Sequence, residues 1–179
     1  RLRKPVHSVF FWTRYPAALH GPSLLGDMVR DGIENTLVHL TVTGLGGTRL
    51  EPHVPDTQAT LAQVPPLLDA LGGDARRLIW RFDPVLLEVM TPELFEPLAA
   101  RFGALGVRRC VISFPALMSL KGSLEPAYNR HGIRRHERAA KRDAALRLAE
   151  IGANHGLSLS ACCQPKLVAD CAGAITEGA

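Results

Sequence analysis

The sequence predicts an α/β fold of parallel strands, arranged as a partial (β/α) TIM-like barrel with about five βα units. Several short runs are almost continuously apolar, and each is followed by a stretch with helical spacing of apolar residues. The chain has 179 residues, whereas a complete eight-fold barrel needs about 250. We therefore expect an open or partial barrel that forms a single domain over residues 1–179.

The first half of the chain opens with two of these strand–helix units. Residues 6–13 are apolar and rich in β-forming side chains, and they predict a strand that ends before Pro16. A short helix over residues 22–32 follows and ends at its terminal glycine. Residues 37–44 predict the second strand. A helix over residues 56–73 then begins at the N-cap Asp56 and is interrupted by two consecutive prolines.

The remaining elements continue the same alternation. Residues 77–84 predict a third strand, and residues 91–106 a helix with Thr91 as N-cap and a proline in its first turn. A strand over residues 108–115, a long helix over 132–156 and a last strand over 157–163 complete the pattern. No closing element is predicted in the Gly- and Ala-rich stretch beyond.

A doubly wound sheet is the competing fold. It would more often show a glycine fingerprint in its first strand-to-helix turn. The turn TGLGG at residues 43–47 lacks the third glycine, because Arg49 stands there, and EPHVP follows instead of a helix. The turn is as consistent with the approach of a ligand to the backbone as with a plain loop.

Composition narrows the class of protein. The net charge of +4 is compatible with a phosphate-bearing partner but is also common among enzymes. Four cysteines do not form the dense framework of a small secreted protein, so we expect a reducing, cytoplasmic setting. No signal peptide and no apolar run of about 18 residues is present, so no membrane partner is expected.

Polar side chains mark the carboxyl ends of the predicted strands, where parallel α/β proteins bind ligands. Arg81 and Asp83 lie two residues apart on one strand, so they share a face and can pair; Pro84 then ends the strand. A structural ion pair at the rim explains this spacing as well as a binding site does. The other strand ends contribute Trp12, Thr13, Arg14, Thr41, Thr43, Ser113, Ser160, Cys162 and Cys163.

Metal and nucleic-acid motifs are weak. Seven histidines show no paired ligand spacing, so we interpret each as structural or solvated. Cys162 and Cys163 are expected to point to opposite faces of their strand, and Cys171 completes no zinc or ferredoxin pattern. The helix over residues 132–156 carries cations on one face, which suits a solvated surface or contact with phosphates. These cations are Arg134, Arg138, Lys141 and Arg142.

Five segments of the chain form a recognisable series: FFWTRYP, LTVTGLG, LEPHVP, LIWRFDPVLL and VISF. In this order and at these separations they resemble the DUF1848 family, whose members are often described as similar to radical SAM enzymes and DNA repair photolyases. The resemblance implies a radical-SAM-like partial barrel with Arg81 and Asp83 at its mouth in catalytic roles. It also implies cofactor-binding roles for Trp12, Thr13, Thr43, Glu51 and Ser113.

The resemblance further implies two cofactors, a [4Fe-4S] cluster and S-adenosylmethionine (SAM), with Cys162 or Cys163 as a cluster ligand. Family members begin with an earlier strand and end in a cysteine-rich tail, so this chain is expected to be a fragment that is inactive alone. The expected function is the core of a radical-SAM-like enzyme acting on an unknown small molecule or nucleic acid, with an electron donor protein. The alternative is a non-redox phosphate- or nucleic-acid-binding barrel that uses the basic helix 132–150.

Overall fold

The computed structural model describes residues 6–32, 35–89, 92–115, 129–134 and 136–178. Six strands lie within these ranges: β1 (Val9–Thr13), β2 (Thr36–Thr41), β3 (Leu78–Phe82), β4 (Arg109–Ile112), β5 (Ser158–Cys162) and β6 (Thr176–Gly178). The helices of the same ranges are α1 (Ala17–His20), α2 (Leu24–Asp27), α3 (Thr57–Ala62), α4 (Val64–Ala70), α5 (Pro92–Ala104), α6 (Arg138–Asn154) and α7 (Pro165–Asp170).

The strands form one parallel sheet in which each strand pairs with the next along the chain. Its order is β1-β2-β3-β4-β5-β6, so β1 and β6 are the two edges and the sheet is open. The predicted α/β class with a parallel sheet is confirmed. Because the order never reverses and crossovers are right-handed, successive helices are placed on the same face of the sheet.

The helix-covered face of the sheet contains the hydrophobic core. Trp80 is fully buried at its centre, and its ring stacks on Phe95 and Phe102 of α5 at centroid distances of 5.0 and 4.8 Å. Its Nε1–H donates to the carbonyl of Val42 at 2.9 Å. This bond secures the chain just beyond β2, where the polar edge of the sheet begins.

Several predicted elements need correction. Five βα units are present as predicted, but α7 and β6 follow β5, in the stretch where no closing element was expected. The helix predicted over residues 56–73 is two helices that meet at Gln63, because the prolines fit only the first turn of α4. Asp56 is confirmed as the N-cap, whereas Thr91 lies outside the described residues.

The long basic helix starts later than predicted. α6 begins at Arg138, so Arg134 precedes it, and its buried side is formed by Ala145, Leu148 and Ile151. Ala140, in the first turn of α6, is exposed. Among the described residues, no helix is long and apolar enough to cross a membrane.

Candidate functional site

The carboxyl ends of β3 and β4 are joined through one carboxylate. A guanidinium N–H of Arg81 donates to Oδ2 of Asp83, and the hydroxyl of Ser113 donates to Oδ1. The side chains of Arg81 and Asp83 are only 12% and 19% exposed. The pairing expected from their two-residue spacing is therefore present, and Pro84 follows through a cis peptide bond.

A second network joins the ends of β1 and β2. Arg14 donates to Oε1 of Glu51 at 2.5 Å, and the hydroxyl of Thr43 donates to Oε2 at 2.6 Å. The other terminal nitrogen of Arg14 donates to the backbone carbonyl of Asp83 at 3.3 Å, which links the two networks. Four consecutive strand ends thus share one set of paired charges, which we call the charged edge: Arg14, Thr43, Glu51, Arg81, Asp83 and Ser113.

Arg14 is the member of the charged edge to which the sequence assigned no role. It was recognised as a strand-end residue, but an arginine in the segment FFWTRYP does not show which carboxylate it meets. The partner, Glu51, is 37 positions away along the chain. Only the parallel order of β1, β2 and β3 brings Arg14 to both Glu51 and Asp83.

The glycine turn after β2 holds Glu51 in place. Gly46 forms an isolated β-bridge with Glu51, and the N–H of Gly47 donates to the carbonyl of Val54 at 3.0 Å. A Cβ on Gly46 would lie 2.1 Å from the carbonyl oxygen of Pro55. Of the two readings of this turn, a plain loop agrees better with the structure, because the glycine allows close approach of the chain to itself.

A cleft of about 420 Å³ opens beside the Arg14–Glu51 pair. Its walls are mostly apolar and come from the loops after β2 and β3, with His53 and His131 also in the lining. The apolar lining residues are Leu45, Leu50, Pro52, Val54, Pro84 and Leu86. The charged edge therefore adjoins a space that suits the less polar part of a ligand.

Two predicted site residues lie outside these networks. Trp12 is 63% exposed and its ring contacts His39 at a centroid distance of 5.2 Å. The hydroxyl of Thr13 accepts from the backbone N–H of Tyr15 at 2.8 Å, so it shapes the turn after β1. Trp12 is thus available as a flat contact surface, whereas Thr13 is engaged locally.

His39 is a buried polar residue, and nothing in the sequence predicted that it would be more buried than the other histidines. Its side chain is on β2, only 3% exposed, and its Nδ1 has no hydrogen-bond partner. Burial, together with the positive charges of Arg81 and Arg109, lowers its pKa to about 4. The ring is therefore neutral at pH 7 and adds no third positive charge to this side of the sheet.

Cys162 and Cys163 are arranged differently from the prediction. Alternation along a strand would place them on opposite faces, but β5 ends at Cys162 and Cys163 has a φ of 55°. Their sulfur atoms are 3.6 Å apart as a result, and both thiols are free. The hydrogen bond with Cys162 and the charge of that neighbour raise the pKa of Cys163.

An iron–sulfur cluster needs more ligands than this pair offers. Each iron of a cubane takes its thiolate on the outside of the cube, so ligands of different irons are held well apart and not in contact. In the described part of the chain, no group of three or more His, Cys, Asp or Glu residues could hold a metal ion. The described residues therefore do not form a complete cluster site.

Comparison with known proteins identifies one family. The model of the domain of unknown function DUF1848 matches residues 2–177, which is nearly the whole chain. No curated protein and no solved structure matches this chain. The chain belongs to the DUF1848 family, as the five sequence segments had indicated.

Proposed function

We propose that this member of the DUF1848 family is the partial (β/α)-barrel core of a radical-SAM-like enzyme, and that its charged edge binds SAM. The main support is the linked pair of ion-pair networks across four strand ends. Charged side chains that are largely removed from water lie at the edge where open parallel sheets bind their ligands. The two networks together join the ends of β1, β2, β3 and β4.

The balance of charges supports a zwitterionic ligand. The charged edge has two guanidinium groups and two carboxylates, so it offers no net charge to a simple anion or cation. The amino-acid end of SAM has a carboxylate, which suits the planar fork of Arg81, and an ammonium group, which suits Asp83 or Glu51. Thr43 and Ser113 supply hydroxyl groups for further hydrogen bonds.

The exposed ring of Trp12 adds a surface on which a purine can stack. We assign the adjoining apolar cleft to the substrate, because it lies beside the charged edge and is lined by the loops after β2 and β3. In this arrangement Arg81 and Asp83 hold the polar end of SAM, and the cleft walls exclude water from the reacting groups.

The cluster, when bound, would supply the electron for reductive cleavage of SAM to an adenosyl radical that abstracts hydrogen from a substrate. Cys162 or Cys163, at the carboxyl end of β5, would offer one thiolate to that cluster. The described residues do not supply the remaining ligands. The role of the described residues is to bind and orient SAM and substrate.

The alternative of a phosphate or nucleic-acid surface on the basic helix has less support. Arg138, Arg142 and Arg147 form ion pairs with Asp170, Asp143 and Glu150, respectively. These pairs reduce the positive potential that phosphate binding needs. Salt-dependent retention on DNA that falls in a variant with Arg134, Arg138 and Arg142 neutralised would favour this alternative.

The test of the proposed function is release of 5′-deoxyadenosine from SAM by the natural protein, reconstituted anaerobically with iron and sulfide and then reduced. We expect release that is lost in Arg81→Lys and retained in Arg147→Lys, the same substitution in an exposed ion pair. A protein with a full cluster that releases none would refute radical SAM chemistry for this fold.

A further inference from the structure

The proposed function uses at most one of the two adjacent thiols at the end of β5, and their contact with each other lies beyond it. Cys163 is one of two non-glycine residues with positive φ among the described residues, the other being Ala172. That backbone conformation is unfavourable for a residue with a side chain, and here it turns the second thiol back toward the first. The sulfur atoms are in contact at 3.6 Å.

The pair is also accessible from solvent. Cys163 is exposed and Cys162 half-buried, whereas Cys110 and Cys171 are buried. Cys163 lies in a surface groove of about 470 Å³ between the start of α6 and α7. Lys141 and Lys166 line the same groove, as does Glu137.

We propose that Cys162 and Cys163 are a redox modification site that closes reversibly to a disulfide by exchange with an anionic small-molecule disulfide of the glutathione type. The thiolate of Cys163 attacks one sulfur of the small disulfide, and a first small thiolate leaves. The thiolate of Cys162 then attacks the sulfur of Cys163 and displaces the second. Two protein S–H bonds become one S–S bond, and two electrons and two protons pass to the small molecule as two thiols.

Geometry makes this disulfide both accessible and labile. Consecutive Cα atoms are about 3.8 Å apart across a trans peptide, below the usual range of about 4.4–6.8 Å for bridged cysteines. A bridge between neighbours is therefore strained, and strained, exposed disulfides are the ones that reducing thiols reopen. Such a site suits reversible modification better than permanent stabilisation.

The order of the two attacks follows from exposure. Cys163 is the more exposed sulfur, so it meets the small disulfide first. The stepwise exchange needs only one thiolate at a time.

The experiment incubates the purified protein with oxidised glutathione and follows its intact mass and its peptide map. We expect the wild type to lose two hydrogens, with the bridge located between Cys162 and Cys163 and reversed by dithiothreitol. Cys162→Ser is expected to stop at a single glutathione adduct on Cys163. Cys110 and Cys171 serve as internal controls, because burial raises the pKa of each thiol.

A second arm tests the groove. Lys141→Gln with Lys166→Gln is expected to slow the reaction with oxidised glutathione and to leave the reaction with the cationic disulfide cystamine unslowed. A wild type that retains a stable glutathione adduct, or that does not react while Cys163 is open to iodoacetamide, would overturn the proposal. The readout is a mass, so its failure is distinct from any failure of SAM chemistry.

Discussion

Removal of the Asp83 carboxylate should cost more stability than removal of an exposed one. Asp83→Ala deprives Arg81 and Ser113 of their common acceptor. Breaking a buried pair costs about 3–5 kcal/mol and an exposed pair about 0–1 kcal/mol. With side chains 12% and 19% exposed, the pair is closer to the buried limit, so we expect a loss of about 3 kcal/mol in the free energy of unfolding.

Urea and thermal unfolding followed by circular dichroism measure this loss. For a domain of this size it corresponds to a melting temperature lower by about 6–12 °C. The matched control is Glu150→Ala, which breaks a pair whose side chains are 57% and 63% exposed and should cost less than about 1 kcal/mol. Adding Arg81→Met to Asp83→Ala should recover at least about 1 kcal/mol, because no buried charge is then left unpaired.

An Asp83→Ala variant that is no less stable than the Glu150→Ala control would refute this reasoning. It would mean that water reaches the charged edge freely and that the pair is an ordinary surface contact. A double variant no more stable than Asp83→Ala alone would instead show that Arg81 is not the group left uncompensated.

Three further outcomes are expected. His39 takes up its proton near pH 6.5 in the unfolded state and only near pH 4 in the folded state, so the free energy of unfolding decreases as the pH is lowered between these values. The decrease between pH 7 and pH 5, measured by urea unfolding, should be smaller by about 2 kcal/mol in His39→Phe. Gly46→Ala should lower the melting temperature more than Gly72→Ala, because a Cβ on Gly46 would lie 2.1 Å from the backbone oxygen of Pro55, whereas Gly72→Ala has open space and costs only the strain of a φ of +73°; equal effects would contradict this. Iodoacetamide should label Cys163 faster with rising pH and leave Cys110 unlabelled in the folded protein, and labelling of Cys110 at a similar rate would contradict its burial.

Much of the fold could be predicted because apolar runs and helical spacing alternate so regularly. Strands such as β3 are apolar on both faces, which identifies a parallel sheet. β6 could not be recognised, because its three residues, Thr176–Gly178, are polar or small and exposed or half-buried. The two prolines at positions 65 and 66 predicted an interruption of the helix. The break itself lies before them, at Gln63, because prolines are tolerated in the first turn of α4.

The charged edge was only partly predictable. The period of a strand is enough to pair Arg81 with Asp83, because both residues belong to one local segment. Glu51 lies in a loop after β2, so the resemblance indicated it and strand periodicity could not. The relative orientation of Cys162 and Cys163 was predicted wrongly, because a single residue with positive φ reverses the alternation that the prediction assumed.

The measurement that tests the central claim most directly is the affinity of the anaerobic protein for SAM by titration calorimetry, with a melting curve for each variant. The account predicts that SAM binds and that Arg81→Lys weakens binding about tenfold or more while melting near the wild-type temperature, because lysine loses the two-pronged contact with a carboxylate. Arg147→Lys should bind as the wild type does. Unchanged affinity in Arg81→Lys, or a variant that simply unfolds, would contradict the account and make the charged edge a structural ion-pair network.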